Sequence, residues 1–349
     1  MKAALIGADR ALTVTDIERP VPVVGEVLID VRYCGICGSD LHMLGMPADL
    51  VPAGHVLGHE LTGVVAALGP GVTGWSAGER VVVLPMVACG QCYACRVGHS
   101  NLCEQGGIDE GPGIGRPGGY AESVAVPAGM LRRLPSTVSD RDGALAEPLA
   151  VALRAIRLSG AAPDEPVCVL GAGPIGVLAV AGLLAAGFER VAVVEPGPGR
   201  RAAAERLGVR AAGPDEAADE GPGLLGGQRP RVGIDTTGHP SGAPLALRLL
   251  PAAGRLTVVG LPDAPALLDL GLLAFREITV RGSLVYDEHD FAAAVAHIAE
   301  GRIPCDRIIT KVAPLDSAPV IVAELHGGAT DDVKVLLTPA ILDQAPVSW

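Results

Sequence analysis

The sequence predicts a two-part α/β chain: a β-rich domain at the start, then a doubly wound parallel-sheet domain. Three observations predict it. At 349 residues the chain exceeds the roughly 100–200 residues of one domain. Over residues 1–150, short β-branched runs are separated by glycine and proline, as strands joined by tight turns are. From 166 onward, short apolar strands alternate with helical segments, the pattern of a parallel sheet covered on both faces.

The elements follow in order. VLIDVRY (27–33), LTGVVAALG (61–69) and ERVVVLP (79–85) read as strands of a compact, antiparallel, barrel-like domain, with glycine-rich turns between them. CGICGSDLHMLGMPADLVPAGHVLGHE, from Cys34 to Glu60, reads as loop despite its concentration of cysteine, histidine and acid. EPLAVALRAIRLSGAAP (147–163) reads as a helix entering the second domain. There PVCVL, RVAVVEP, VGIDTTG and GRLTVVG read as parallel strands, with helices after the first two. Residues 211–231, rich in Ala, Gly, Pro and Asp, read as a weak helix or a long loop. From about 275 strands return (ITVRGSLVY, VKVLL) around one helix, DFAAAVAHIAEG, in a tail able to pack back on the first domain. The domains are accordingly placed at 1–150, 151–280 and 281–349.

Composition narrows the function. The chain is 49 % hydrophobic but only 3 % aromatic, so its cores are aliphatic. A net charge of -12 argues against nucleic-acid binding, which wants a basic face. MKAALIG runs into the charged Asp9-Arg10 pair with no signal-peptide pattern, so a cytoplasmic location is expected. The longest apolar stretch, VCVLGAGPIGVLAVAGLLAAG, contains a Gly-x-Gly-x-x-Gly turn, which makes a buried strand feeding a buried helix a better reading than a membrane span. Eight cysteines in a chain of this length do not resemble a disulfide framework.

That turn, GAGPIG at 171–176, sits between an apolar strand and an apolar helix. Gly171 permits the turn, Gly173 lets the backbone approach a pyrophosphate, and Gly176 lets helix and strand pack closely; Pro174 and Ile175 complete the loop. The diphosphate would rest on the helix N-terminus. Glu195 ends the next strand, where a carboxylate accepts the ribose hydroxyls and repels a 2′-phosphate, favouring NAD over NADP. Arg200 and Arg201, just downstream, leave NADP as the alternative.

Two clusters have the chemistry of metal sites. Cys89, Cys92, Cys95 and Cys103 form C-x2-C-x2-C-x7-C, a closed tetrahedral shell suited to structural zinc, with an iron–sulfur cluster or ligandless thiols as the rivals. Cys37, His59, Glu60 and Glu147 form a mixed set of the kind that holds a catalytic zinc with one position open. Each has a plainer role open to it: Cys37 as a small buried hydrophobe, His59 as a core histidine, Glu147 as a helix N-terminal carboxylate. A dinucleotide loop in the same chain favours the metal. Zinc there would polarise an alcohol oxygen as hydride passes from carbon to nicotinamide. Ser39 would take the proton, and the cofactor ribose and His42 would pass it outward.

Together these residues resemble the zinc-dependent medium-chain alcohol dehydrogenase family over essentially the whole chain. Cys-Gly-Ser-Asp-Leu-His at 37–42 is similar to the family's first zinc ligand and its relay, Gly58-His59-Glu60 to its second ligand motif, the quartet at 89–103 to its structural zinc loop, and GAGPIG to its cofactor loop. The resemblance implies a GroES-like catalytic domain built from both chain ends, a Rossmann cofactor domain, and a homodimer or homotetramer. Glu147-Pro148-Leu149, ACRVGHSNLC and the tail from Arg276 to Ile303 are similar to the polyol, butanediol, sorbitol and threonine dehydrogenase branch. The branch implies a polar alcohol, diol, sugar or aminocyclitol substrate, with Glu60 and Glu147 near the metal. Asp235, Gly238 and Gly282 stand where the family lines its cofactor groove. A ketone or aldehyde reductase using NADP, and a dinucleotide-binding protein without activity, are the competing readings.

Overall fold

The computed structural model describes residues 1–328 and 330–339, and their packing forms two units. One is Met1–Glu147 together with the chain from Lys311 onward; the other is Pro148–Thr310. The first unit begins with a hairpin of β1 (Lys2–Ile6) and β2 (Leu12–Asp16). It continues through β3 (Glu26–Gly35), α1 (Gly38–Gly45), β4 (Glu60–Leu68), β5 (Arg80–Val83), α2 (Tyr93–Arg96), β6 (Ser123–Pro127), β7 (Leu131–Arg133) and α3 (Asp140–Gly143). β4, β6 and the C-terminal strand all pair antiparallel to β3. Valines of β3, β5 and β6 (Val27, Val31, Val81, Val83, Val124, Val126) meet in one aliphatic core, as β-branched side chains do on a pleated face. Two register shifts against β4 interrupt β3, and such bulges bend a strand.

The second unit opens with α4 (Ala146–Ser159), then alternates strand and helix through β8 (Val167–Leu170), α5 (Pro174–Ala185), β9 (Val191–Val194), α6 (Pro198–Glu205), β10 (Arg210–Ala212), α7 (Pro214–Glu220), β11 (Val232–Asp235), α8 (Gly242–Leu249), β12 (Arg255–Val258), α9 (Leu270–Arg276) and β13 (Thr279–Gly282), and ends with the two helices α10 (Glu288–Ala299) and α11 (Cys305–Ile308). The six strands are parallel in the order β10-β9-β8-β11-β12-β13. The order reverses between β8 and β11, and ligands bind at the carboxyl ends beside such a switch point. The long apolar stretch of the sequence is β8 and α5, whose residues from Gly176 to Leu183 are all buried. Among the described residues no helix is long and apolar enough to cross a membrane.

The chain then returns through β14 (Ile309–Pro314), α12 (Ala318–His326) and β15 (Lys334–Thr338). Leu336 and Leu337 of β15 pair with Gly35 and Cys34 of β3, so the tail completes the first sheet.

Three features differ from the sequence reading. The cysteine- and histidine-bearing stretch contains a helix, α1, because the Cys37 N–H is capped by Asp40 and a capping box favours a helix start. The region 211–231 supplies the edge strand β10 and α7, since even three residues can pair along β9. The return crossing lies between Thr310 and Lys311 rather than at 280/281, because α10 is tied to α4: Arg154 and Arg157 bond Asp287 and Asp290 at 2.7–3.2 Å. Residues 340–349 of the expected return segment lie outside the described residues.

Candidate functional site

In the first unit, strand pairing creates the site. Gly35 at the end of β3 lies opposite Glu60 at the start of β4. Cys37 follows β3 as the N-cap of α1, and His59 precedes β4. One ligand atom each from Cys37, His59 and Glu60 lie within 4.8 Å of one another. His59 and Glu60 are 6 % and 0 % exposed, yet His59 Nδ1 and Glu60 Oε1 have no hydrogen-bond partner. Unsatisfied buried polar atoms are costly, and a thiol, imidazole and carboxylate converging on one point form a zinc donor set. The residues fit the metal.

Around them stands a second layer that the sequence reading did not single out. Asp40, fully buried, accepts the Cys37 N–H at 2.9 Å and the Tyr120 hydroxyl at 2.6 Å, and lies 3.6 Å from His59 Nδ1. Burial pushes the Asp40 carboxyl up, but His59 and these hydrogen bonds outweigh it and hold it below the usual carboxylate range. Burial pushes the His59 imidazole down, and Asp40 and Cys37 more than reverse this, raising it well above its ordinary value. Asp40 and the Cys37 thiol are thus the groups that give this buried point its negative character. Burial and the Asp40 charge raise the Tyr120 phenol well above its ordinary value, so it is a neutral donor.

Lys334 of β15, also fully buried, forms an ion pair with Glu60 Oε2 and donates to the Ile36 carbonyl at 2.9 Å. Burial pushes its ammonium down, and Glu60, Cys37 and Glu147 outweigh burial and raise it. The only sequence hint was a lysine inside the apolar run VKVLL, which does not say what it pairs with. Glu147 is buried in the first turn of α4, outside the trio of converging atoms. Ser39 is half-buried and His42 exposed on α1, three residues apart and therefore neighbours on one helix face.

The quartet also converges, with the four sulfurs of Cys89, Cys92, Cys95 and Cys103 within 4.8 Å. Backbone N–H groups of Cys89 and Cys92 point at the sulfurs of Cys103 and Cys89, both at 3.3 Å. Backbone N–H donors hold the Cys92 thiol down to about 6, while burial and the neighbouring sulfurs push Cys95 up to about 12. Without a cation the four cannot all be thiolates; with zinc they can. All eight cysteines are free thiols.

In the second unit, a cavity of about 410 Å³ opens beyond the ends of β8, β9 and β11, lined among others by Gly171, Gly173, Glu195, Arg200, Thr237 and His239. A Cβ at Gly176 would fall 2.0 Å from the Gly171 carbonyl oxygen, so only glycine allows this contact between helix and turn. Pro174 occupies the first turn of α5, pre-set for a helix start, and Ile175 is half-buried behind it. Glu195 accepts the Ala172 N–H and the Gly197 N–H, each at 2.8 Å, so it pins the glycine loop as well as facing the cavity. Arg201 donates to the Glu195 and Pro196 carbonyls, which leaves Arg200 as the arginine at the cavity. Asp235 is turned toward Thr237, accepting its N–H at 3.0 Å and its hydroxyl at 2.7 Å. Asp235, Gly238 and Gly282 lie at or just past strand ends and outside the cavity's lining.

Residues 24–136 match the family model for the alcohol dehydrogenase GroES-like domain, and residues 174–300 that for zinc-binding dehydrogenases. The chain is 34% identical over 333 residues to 2-dehydro-3-deoxy-L-galactonate 5-dehydrogenase of Pseudoalteromonas atlantica, covering 94% of this chain and 96% of that protein. It is 34% identical to (R,R)-butanediol dehydrogenase of Bacillus subtilis, over 97% of this chain and 100% of that protein. Among solved structures, an Escherichia coli alcohol dehydrogenase complexed with NADH superposes with a TM-score of 0.86 at 29% identity, covering 97% of this chain and 99% of that one. A zinc-binding dehydrogenase of Sinorhizobium meliloti bound to NADP gives 0.87 at 31% identity, with the same coverage of 97% and 99%.

Proposed function

The chain belongs to the zinc-binding medium-chain alcohol dehydrogenase family, and on that premise we propose that its substrate is a vicinal diol, polyol, sugar acid or aminocyclitol, oxidised reversibly at a secondary hydroxyl with NAD. It is a zinc-dependent oxidoreductase that moves hydride between a secondary alcohol and a nicotinamide dinucleotide. The observation that carries the reading is the convergence of Cys37, His59 and Glu60 on one buried point whose polar atoms are left unsatisfied. Bound there, zinc supplies the positive charge that acidifies a hydroxyl, and NAD supplies the hydride acceptor.

The chain's own residues do the rest. Cys37 and His59 would hold the metal, with Glu60, the ion-pair partner of Lys334, and the buried Glu147 as the acids of the same unit. Ser39 Oγ receives the substrate proton and His42 carries it to solvent, a path from a half-buried to an exposed position on α1. Gly171, Gly173 and the N-terminus of α5 receive the pyrophosphate, and Glu195 the adenosine ribose. The named relatives, dehydrogenases of a deoxygalactonate and of butanediol, support a substrate with several oxygens. Arg200 at the cavity favours a second reading, use of NADP.

We further place the protein in the cytoplasm, where thiol ligands stay reduced, and as a homo-oligomer. β13 is an edge strand with all four residues exposed, and the segment that precedes it in the chain carries Leu267, Leu270 and Phe275 at 89%, 72% and 93% exposure; uncovered edges and exposed apolar side chains invite a second copy. A monomer in analytical ultracentrifugation overturns that reading. The activity is tested by following nicotinamide reduction with NAD and with NADP over stereoisomeric butanediols, sugar alcohols, sugar acids and aminocyclitols. A zinc-dependent signal on one polar secondary alcohol is expected. Turnover confined to primary alcohols would refute the substrate class.

A further inference from the structure

We propose that Tyr120 is a positioning residue for the catalytic metal centre: its hydroxyl locks the Asp40 carboxylate in the one rotation that serves Cys37 and His59 together. The inference rests on the zinc reading of that centre. Asp40 has two oxygens with different tasks. Oδ2 accepts the Tyr120 hydroxyl at 2.6 Å and the Cys37 N–H at 2.9 Å. Oδ1 accepts the Gly58 N–H at 3.3 Å and lies 3.6 Å from His59 Nδ1. With Oδ2 held twice, Oδ1 is the oxygen left facing the imidazole. Nδ1 is thus the ring nitrogen turned toward the carboxylate, and Nε2 is the one that would be free to face a metal, the way outer partners orient metal-binding histidines.

The backbone is shaped to let Tyr120 reach this place. Gly58, immediately before His59, has φ +96°, and a Cβ there would fall 2.4 Å from Tyr120 Cδ1 and 2.6 Å from Cε1. The ring therefore packs against the bare backbone of the residue preceding the histidine. The Tyr120 N–H also donates to the Leu57 carbonyl at 3.0 Å, and the Gly119 N–H to Gly58 at 2.8 Å. One residue thus touches the turn that carries His59 through its backbone, and the carboxylate that orients His59 through its side chain. A buried tyrosine serving only the core would need a hydrogen-bond partner, but not one shared with a residue that faces one metal ligand and caps another.

The test is zinc competition with a chelator in the full-length protein, for wild type, Tyr120→Phe, Asp40→Asn and the double variant. The quartet's zinc serves as an internal control for folding. Tyr120→Phe is expected to weaken the catalytic site ten- to a hundredfold, to leave the quartet's affinity unchanged, and to shift the visible spectrum of cobalt in the catalytic site. In the Asp40→Asn background the same change is expected to cost less than twofold, because the carboxylate it acts through is gone. Catalytic-site affinity within twofold of wild type in Tyr120→Phe, with an unaltered cobalt spectrum, overturns the proposal. So does unchanged affinity in Asp40→Asn, which keeps the aromatic packing and decides the matter if the phenylalanine variant does not fold. A wild-type protein that binds only one zinc per chain overturns the zinc reading itself, a failure visible before any variant is made.

Discussion

Lys334→Met puts the charge balance of the site to the test. The lysine and Glu60 side chains are 0% and 1% exposed, and they form an ion pair in which Lys334 also donates to the Ile36 carbonyl. Methionine of similar reach keeps the packing and removes the cation. Glu60 is then a buried carboxylate with one oxygen already lacking a hydrogen-bond partner. Removing one member of a buried pair costs about 3–5 kcal/mol, because the other charge stays behind uncompensated. Neutralising both members, Lys334→Met with Glu60→Gln, is expected to recover most of that, a coupling of about 2–3 kcal/mol. The assay is guanidinium unfolding of the single and double variants with chelator present and again with zinc. With chelator the single variant shows the full loss. With zinc the loss shrinks, since a metal within reach of Glu60 takes over the role of the lysine. A loss below about 1 kcal/mol for Lys334→Met with chelator, or a loss identical with and without zinc, refutes the reasoning.

The remaining expectations are more local. Cys95→Ser should lower zinc content from two ions per chain to one and lower stability, with activity lost only as the protein unfolds; a folded, fully active variant that still binds both ions contradicts the structural assignment. Glu195→Gln removes the charge and keeps an acceptor for only one of the Ala172 and Gly197 N–H groups, which bond different carboxylate oxygens, so kcat/KM with NAD should fall about tenfold and discrimination against NADP should narrow; unchanged discrimination removes Glu195 from the ribose site. Burial pushes the Asp287 carboxyl up, but the Asp290 N–H and the Arg157 and Arg154 charges hold it below its ordinary value. Its stabilising effect is therefore complete above the ordinary carboxylate value of about 4 and is lost as pH falls through the depressed one. Asp287→Asn should flatten the acid decline of the urea midpoint, and an unaltered slope would show that the α4–α10 ion network has no part in it.

Much of this was legible in the chain because the chemistry is carried by short, ordered motifs. The cysteine quartet, the glycine turn and the Cys37/His59/Glu60 trio each need only local spacing, or one strand pairing, to assemble. Lys334 and Tyr120 were not legible, since their partners lie 274 and 80 positions away along the chain, in Glu60 and Asp40. Only the antiparallel placement of β15 beside β3 brings Lys334 under Glu60. Helix α1 was read as loop because its apolar residues are few; its start is fixed by the capping carboxylate of Asp40, which looked like part of a ligand motif. The strand β10 escaped because three residues carry no periodicity, and its pairing with β9 is decided by the sheet. The cavity residues Thr237 and His239 escaped for a similar reason: a loop's lining depends on where the next strand ends.

The central claim is that Cys37, His59 and Glu60 hold a zinc ion on which NAD-linked alcohol oxidation depends. It is tested most directly by measuring zinc per chain and NAD reduction side by side in wild type and Cys37→Ser, with dinucleotide binding followed by fluorescence. The account predicts two zinc ions and turnover in wild type, and in the variant one zinc ion, unchanged dinucleotide binding and no turnover. A Cys37→Ser protein that keeps both ions and still reduces NAD would contradict it.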